Sequence, residues 1–303
     1  EIFLDPTMLT QPLRWRKPRK IFVCSMTDAF ADFVEDVWLD RMFAVMALAP
    51  QHTFIVLTKR PERAKAYTLA NLTNGCGLDR VLGNELRGEW QKAREQRRDL
   101  PTFALPLPNV WLGTSIEDQA TADARVPLLL QTPAAKRFVS YEPALGPVDL
   151  HEYLLGFAGG HPASCACGHG HGFTRCPNTG GVAPTCAKCD CTQFTKADGA
   201  DGLHWVICGG ESGSHARPMH PNWARKVRDD CAAAFVAYFL KQRGEWTAAP
   251  DELSFDDAAA WLRRTCGDTV KIEHHSDGTT FARVGKKRAG ALLDGREHRE
   301  FPR

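Results

Sequence analysis

The chain has 303 residues, 43% of them hydrophobic and 24% charged, with a net charge of +2. That is enough apolar material for a large core, and the near-neutral balance confines any nucleic-acid affinity to a local patch. No apolar run reaches the ~18–20 residues needed to span a bilayer. The opening EIFLDPTMLTQPLRWRKPRK also lacks the apolar stretch of a secretion signal, so a cytoplasmic protein without a membrane partner is expected. The first residue is Glu1 and not Met, which makes an N-terminal truncation the expectation.

In chain order, six segments share one design, an apolar β-rich run followed directly by polar residues. They are Ile21–Asp28 (IFVCSMTD), Phe54–Arg63 (FIVLTKRPER), Val110–Asp118 (VWLGTSIED), Arg137–Pro147 (RFVSYEPALGP), Trp205–Gly213 (WVICGGESG) and Val236–Trp246 (VAYFLKQRGEW). The runs do not alternate apolar with polar, so they read as strands buried on both faces, as parallel strands are. Between them the apolar spacing predicts helices over Glu35–Leu48, Gln119–Leu130 and Asn222–Ala234, the last opened by Pro221. Strand, polar loop and helix in repetition predict an α/β fold, a partial (β/α) barrel of parallel strands, with a doubly wound sheet as the alternative.

Three segments break the repeat. Gly75–Pro108 carries the basic stretch GEWQKAREQRRD (Gly88–Asp99), read as a solvated helix, and Gly156–Gly202 is rich in Gly and Cys. After Thr247 a short helix (Asp256–Arg264), a hairpin and a terminal helix are expected. The domain reading is a barrel over residues 1–247, interrupted by residues 156–202, and a capping segment over 248–303.

Ligands gather at the carboxyl ends of such strands, where each polar cluster sits. Glu142, followed by Pro143, is aimed off a strand end and is a catalytic candidate with Lys59 and Asp28. The competing reading for Glu142 is a salt bridge to Lys59 or Arg60. Ser25, Thr58, Arg60, Ser115, Glu117 and Lys241 complete a polar rim, while Asp118 and Thr27 read as helix caps. Lys241 could equally pair with Glu245 or Glu211. Gly209 and Gly210 leave main chain bare for close approach of a ligand, with Glu211 beside them to take an amine or hydroxyl. Cys24 and Cys208 read as small core residues, and the histidines as loop or surface residues.

Six of the 11 cysteines crowd one stretch: Cys165, Cys167, Cys176, Cys186, Cys189 and Cys191. The Cys186-x-x-Cys189 pair has the spacing of a zinc ribbon, and the glycines around it let backbone wrap an ion where no core exists. Structural zinc is expected, with the choice of four ligands open.

The succession SMTD, LTKRPER, NVWLGTSIED, RFVSYEPALGPVDL, WVICGGESGSHARPMHPNWARKVRDDC, FLKQRGEW and VGKKRAGALLDGREHREFP resembles an uncharacterised family of phage and bacterial proteins. That family is in turn similar to radical S-adenosylmethionine enzymes of the spore photoproduct lyase type. The resemblance implies that Asp28, Thr58-Lys59, Ser115 and Glu142-Pro143 line a cofactor cavity. It also implies S-adenosylmethionine and a 4Fe-4S cluster, whose reductive cleavage of the cofactor gives a hydrogen-abstracting adenosyl radical. No three-cysteine cluster motif precedes Ile21, and Gly-Gly-Glu follows a later strand than in those enzymes, so that motif's role does not transfer to Glu211.

Three functional readings follow. The first is a radical S-adenosylmethionine-type enzyme acting on a nucleoside or nucleic acid. The second is a nucleic-acid- or partner-binding module using the zinc ribbon and the basic helix at Lys92–Arg98. The third is a barrel hydrolase using Glu142, Glu117 and Asp28 with a divalent metal.

Overall fold

The computed structural model describes residues 3–74, 106–155 and 202–302. The six clustered cysteines and the basic stretch at residues 88–99 lie outside the described residues.

Six strands form one wholly parallel sheet: β1 (Lys20–Val23), β2 (Thr53–Thr58), β3 (Val110–Ile116), β4 (Lys136–Tyr141), β5 (Trp205–Gly209) and β6 (Ala237–Gln242). Their spatial order is their chain order, without the reversal that defines a doubly wound sheet, and the sheet curls into a half-barrel. The partial-barrel expectation is therefore borne out. After a short α1 (Pro6–Thr10), the helices α2 (Asp36–Leu48), α3 (Pro61–Asn74), α4 (Gln119–Leu130), α5 (His151–Leu155) and α6 (Pro221–Ala233) follow their strands.

The period-two geometry of a strand sorts its side chains between two cores. Phe54, Val56, Val110, Leu112, Val139, Tyr141, Val206 and Leu240 pack under the helices in the larger core. Their neighbours Ile55, Trp111, Phe138, Trp205 and Ile207 fill the concave face. Trp205 sits at the centre of that filling, with ring centroids 5.5 Å from Phe138, 6.0 Å from Trp111 and 6.0 Å from Phe239. A Cβ on Gly113 would lie 2.5 Å from the Phe138 ring, so the bare backbone of β3 is what seats that ring. The aromatic plug leaves only the upper layer of the concave face polar.

Beyond β6 the chain forms β7 (Trp246–Ala248), α7 (Phe255–Cys266), β8 (Ile272–His274) and β9 (Thr280–Arg283), the strands ordered β7-β9-β8 in an antiparallel sheet. The expected terminal helix shrinks to the four-residue α8 (Lys286–Ala289), closed by Gly290 at φ 68°. A two-stranded turn of β10 (Leu292–Leu293) and β11 (Arg296–Glu297) follows it. The last residues then return to the barrel: Leu240 N donates to His298 O, Glu300 N donates to Tyr238 O, and Phe301 packs 5.1 Å from Trp205. This covers the β6 edge, which would otherwise present unpaired backbone groups. No helix among the described residues is long and apolar enough to cross a membrane.

Candidate functional site at the carboxyl ends of the strands

The polar layer is assembled by the loops that leave β1 to β6. After β1 the chain turns at Cys24, whose φ of 54° is left-handed, and Thr27 N closes the turn on Cys24 O. Burial, and then the nearby Asp28 carboxylate, push the Cys24 thiol up from its ordinary pKa. Cys24 is thus a half-buried turn residue, not the strand-interior core residue expected, whereas Cys208 is fully buried in β5 and its thiol is pushed up to about 12. Thr27 is exposed and caps no helix; α2 begins later, after Glu35.

Asp28 organises the loop after β2. Its carboxylate accepts from Thr58 Oγ1 at 3.1 Å, Lys59 N at 2.8 Å and Phe30 N at 2.8 Å, and Arg60 Nη1 lies 3.5 Å away. Arg60 also pairs with Asp32 at 3.2 Å. Ser25 stands apart from this cluster, in an apolar cleft of about 480 Å³ beside α1.

Two lysine–carboxylate pairs stand above the aromatic plug. Lys59 Nζ lies 2.6 Å from Glu117 Oε1, and Lys241 Nζ lies 3.1 Å from Glu142 Oε2. Neither of the salt bridges expected for Glu142 forms, since its partner comes from β6 and not from the Lys59-Arg60 pair. Each carboxylate is fixed a second time. Arg125, from α4, donates to Glu117 Oε2 at 2.9 Å and to Ser115 O at 2.8 Å. Gln242 Nε2 reaches Glu142 Oε1 at 3.3 Å. Glu117 and Glu142 side chains are only 13% and 18% exposed, against 54% and 56% for the two lysines. The acids are anchored and the ammonium heads reach solvent.

Ser115 and Ser140 are register partners on β3 and β4, two residues before Glu117 and Glu142. Both are 5% exposed. The Glu142–Pro143 peptide is cis, and the loop behind it is stitched to both neighbours by Leu145 N to Glu117 O at 2.8 Å and Ala144 N to Gly209 O at 2.9 Å.

The paired glycines serve the protein's own packing. A Cβ on Gly209 would stand 3.0 Å from the Glu142 carboxyl group, so Gly209 is the floor on which that carboxylate rests. A Cβ on Gly210 would meet Arg243 O at 2.3 Å. Glu211 leaves the cluster: Arg217 donates to it through Nε at 2.8 Å, Nη2 at 2.9 Å and its backbone N at 2.8 Å. Those bonds bring the Glu211 pKa down to about 2.

The structure thus brings Asp28, Thr58, Lys59 and Arg60 into one cluster and Ser115, Glu117, Glu142, Gly209 and Lys241 around the two pairs, with Gly210 O accepting from the Gln242 Nε2 that fixes Glu142, while Ser25 and Glu211 face elsewhere. Asp118 is the expected cap: it accepts from Thr121 N at 2.9 Å and completes a capping box at the start of α4, which lowers its pKa. Arg125 and Ser140 went unread in the sequence, whereas Gln242 stands beside Lys241 at the end of the last apolar run, a rim position. Arg125 acts across the rim and carries no local spacing signal, although Ser140 occupies in β4 the position of Ser115 in β3. No three or more His, Cys, Asp or Glu among the described residues form a group able to hold a metal ion.

No curated protein and no solved structure matches the chain. The model of one family, described as protein of unknown function (DUF5131), matches residues 1–302, and the chain belongs to that family.

Proposed function

We propose that the chain is a cytoplasmic enzyme of S-adenosylmethionine-dependent type, whose cofactor binds at the carboxyl-end rim and whose substrate is a nucleoside or nucleic acid. The observation that carries this is the pair of solvent-reaching lysines on anchored carboxylates. An exposed ion pair is worth no more than about 1 kcal/mol, so a ligand displaces the lysine heads cheaply. Glu117 and Glu142 keep Arg125 and Gln242 when their lysines leave. A zwitterion suits this arrangement. Its ammonium takes a lysine's place on a carboxylate, and the freed lysine turns to its carboxylate.

The methionyl end of S-adenosylmethionine is such a zwitterion, and Ser115 and Ser140 offer hydroxyls to the rest of the ligand. The residues present therefore fit this cofactor. Among the four described thiols, Cys24, Cys208, Cys231 and Cys266, Cys24 alone is at the rim. No step is assigned to a cluster. The hydrolase reading has less support, because Asp28, Glu117 and Glu142 each answer to a separate donor set. Structural zinc on four of the six clustered cysteines is part of the proposal, carried by their spacing, and metal analysis of the purified chain tests it.

Isothermal titration calorimetry with S-adenosylmethionine tests the rim. Glu142→Gln is expected to weaken binding at least tenfold, because a hydrogen bond to a charged group is worth roughly 1.5–3 kcal/mol and 1.4 kcal/mol is tenfold. An analogue lacking the amino group should lose a similar factor. Equal affinities for both proteins would remove the proposal.

A further inference from the structure

At the opposite end of the strands lies a surface that the rim does not explain. Arg14, Arg16, Lys17, Arg19 and Lys20 are all exposed and occupy seven consecutive positions, RWRKPRK, leading into β1. None of the five makes an ion pair among the described residues. Glu300, at the same end of the sheet, accepts from Tyr238 N and makes no ion pair with them among the described residues. A run of unneutralised cations in a chain of net charge +2 is a concentrated local field.

The run continues into a groove. Lys20 Nζ stands 3.3 Å above the centre of the Phe301 ring, and Phe301 forms one wall of a cleft of about 630 Å³ that also holds Lys136 and Phe235. Phe235 is 94% exposed and has a φ of 55°. The left-handed φ ends α6, where Phe235 N donates to Ala232 O and Val236 N to Cys231 O, and it leaves the Phe235 ring facing solvent at the cleft.

We propose that this face, at the amino-terminal end of the barrel strands, binds single-stranded nucleic acid. Phosphates would lie along Arg14–Lys20 and an unpaired base would stack on Phe235. One observation favours this occupant over an anionic membrane: the aromatic residue lines a concave cleft. The proposal stands independently of what binds at the rim.

The test is fluorescence anisotropy of the whole chain with labelled oligothymidylate and oligouridylate of about 20 nucleotides, across a salt series. Binding of either oligonucleotide supports the proposal, and the comparison tells DNA from RNA. With five phosphate contacts the slope of log K against log salt is expected near −3.5, at about 0.7 per phosphate. Arg16→Glu with Lys17→Glu should weaken binding at least tenfold and flatten the slope by about 1.4 or more. Phe235→Ala should weaken it about tenfold without changing the slope. Lys286→Glu with Lys287→Glu makes the same change in net charge on α8 and should leave affinity unchanged. The proposal is overturned if the α8 swap costs as much as the Arg16/Lys17 swap. It is equally overturned if neither oligonucleotide binds, or if duplex DNA or phosphatidylglycerol vesicles are bound in preference. Thermal melts of each variant establish that it is folded.

Discussion

At the scale of single residues, two positions show how local chemistry sets both the site and the fold. Gly209 supports the Glu142 carboxylate, and any Cβ there sits 3.0 Å from it. Gly209→Ala is therefore expected to push Glu142 off Lys241 and weaken S-adenosylmethionine binding at least tenfold in calorimetry, while the melting temperature moves little. His220 is the other position. It is 4% exposed in the loop before α6 and caps that helix by accepting from Asn222 N through Nδ1 at 3.1 Å. Its Nε2 therefore carries the proton and faces Thr279 Oγ1 at 2.7 Å and Asp277 Oδ2 at 3.2 Å. Burial lowers its pKa, against the raising effect of Asp277 and Asp251, with His275 and Arg225 adding to the lowering. The folded state thus binds fewer protons than the unfolded one, so this contribution is complete above the ordinary value of about 6.5 and is lost as pH falls below it. Urea midpoints should drop between about pH 7.5 and 5.5, and His220→Asn, which keeps a capping acceptor, should flatten that drop. An unchanged slope in the variant would show that His220 is not responsible.

At the scale of elements, legibility followed the range of the interactions. The strands of WVICGGESG and VWLGTSIED were readable because burial on both faces leaves an unbroken apolar run. Helix α4 was readable to its ends because Asp118 and Thr121 form the cap within four residues. The rim pairings were not, because Lys59 finds Glu117 and Lys241 finds Glu142 across strands. Gly113 was likewise unread, since its need for bareness comes from the Phe138 ring on the next strand. Gly113→Ala should cost about 1–3 kcal/mol, the usual range for overpacking. A urea titration should show a lower midpoint with an unchanged m value. Phe138→Leu in the same chain should recover part of the loss, and strictly additive losses would mean the two residues do not compete for space.

At the scale of the whole molecule, the order of the sheet places two chemically distinct ends on one half-barrel. The carboxyl ends hold paired charges over an aromatic plug, and the amino ends hold unpaired cations beside the returning C-terminal residues. That return rests on an isolated bridge between Phe239 and Arg299 and a few backbone bonds, contacts that leave no periodic trace in the sequence. The central claim is that a zwitterionic ligand takes a lysine's place on an anchored carboxylate, with Glu142 as the carboxylate and Lys241 as the lysine. A crystal structure of the chain grown with S-adenosylmethionine tests it most directly. The account predicts ligand density over Ser115 and Ser140, with Lys241 moved off Glu142 and with Arg125 and Gln242 still in place. Density elsewhere, or Lys241 unmoved beneath a bound ligand, would contradict it.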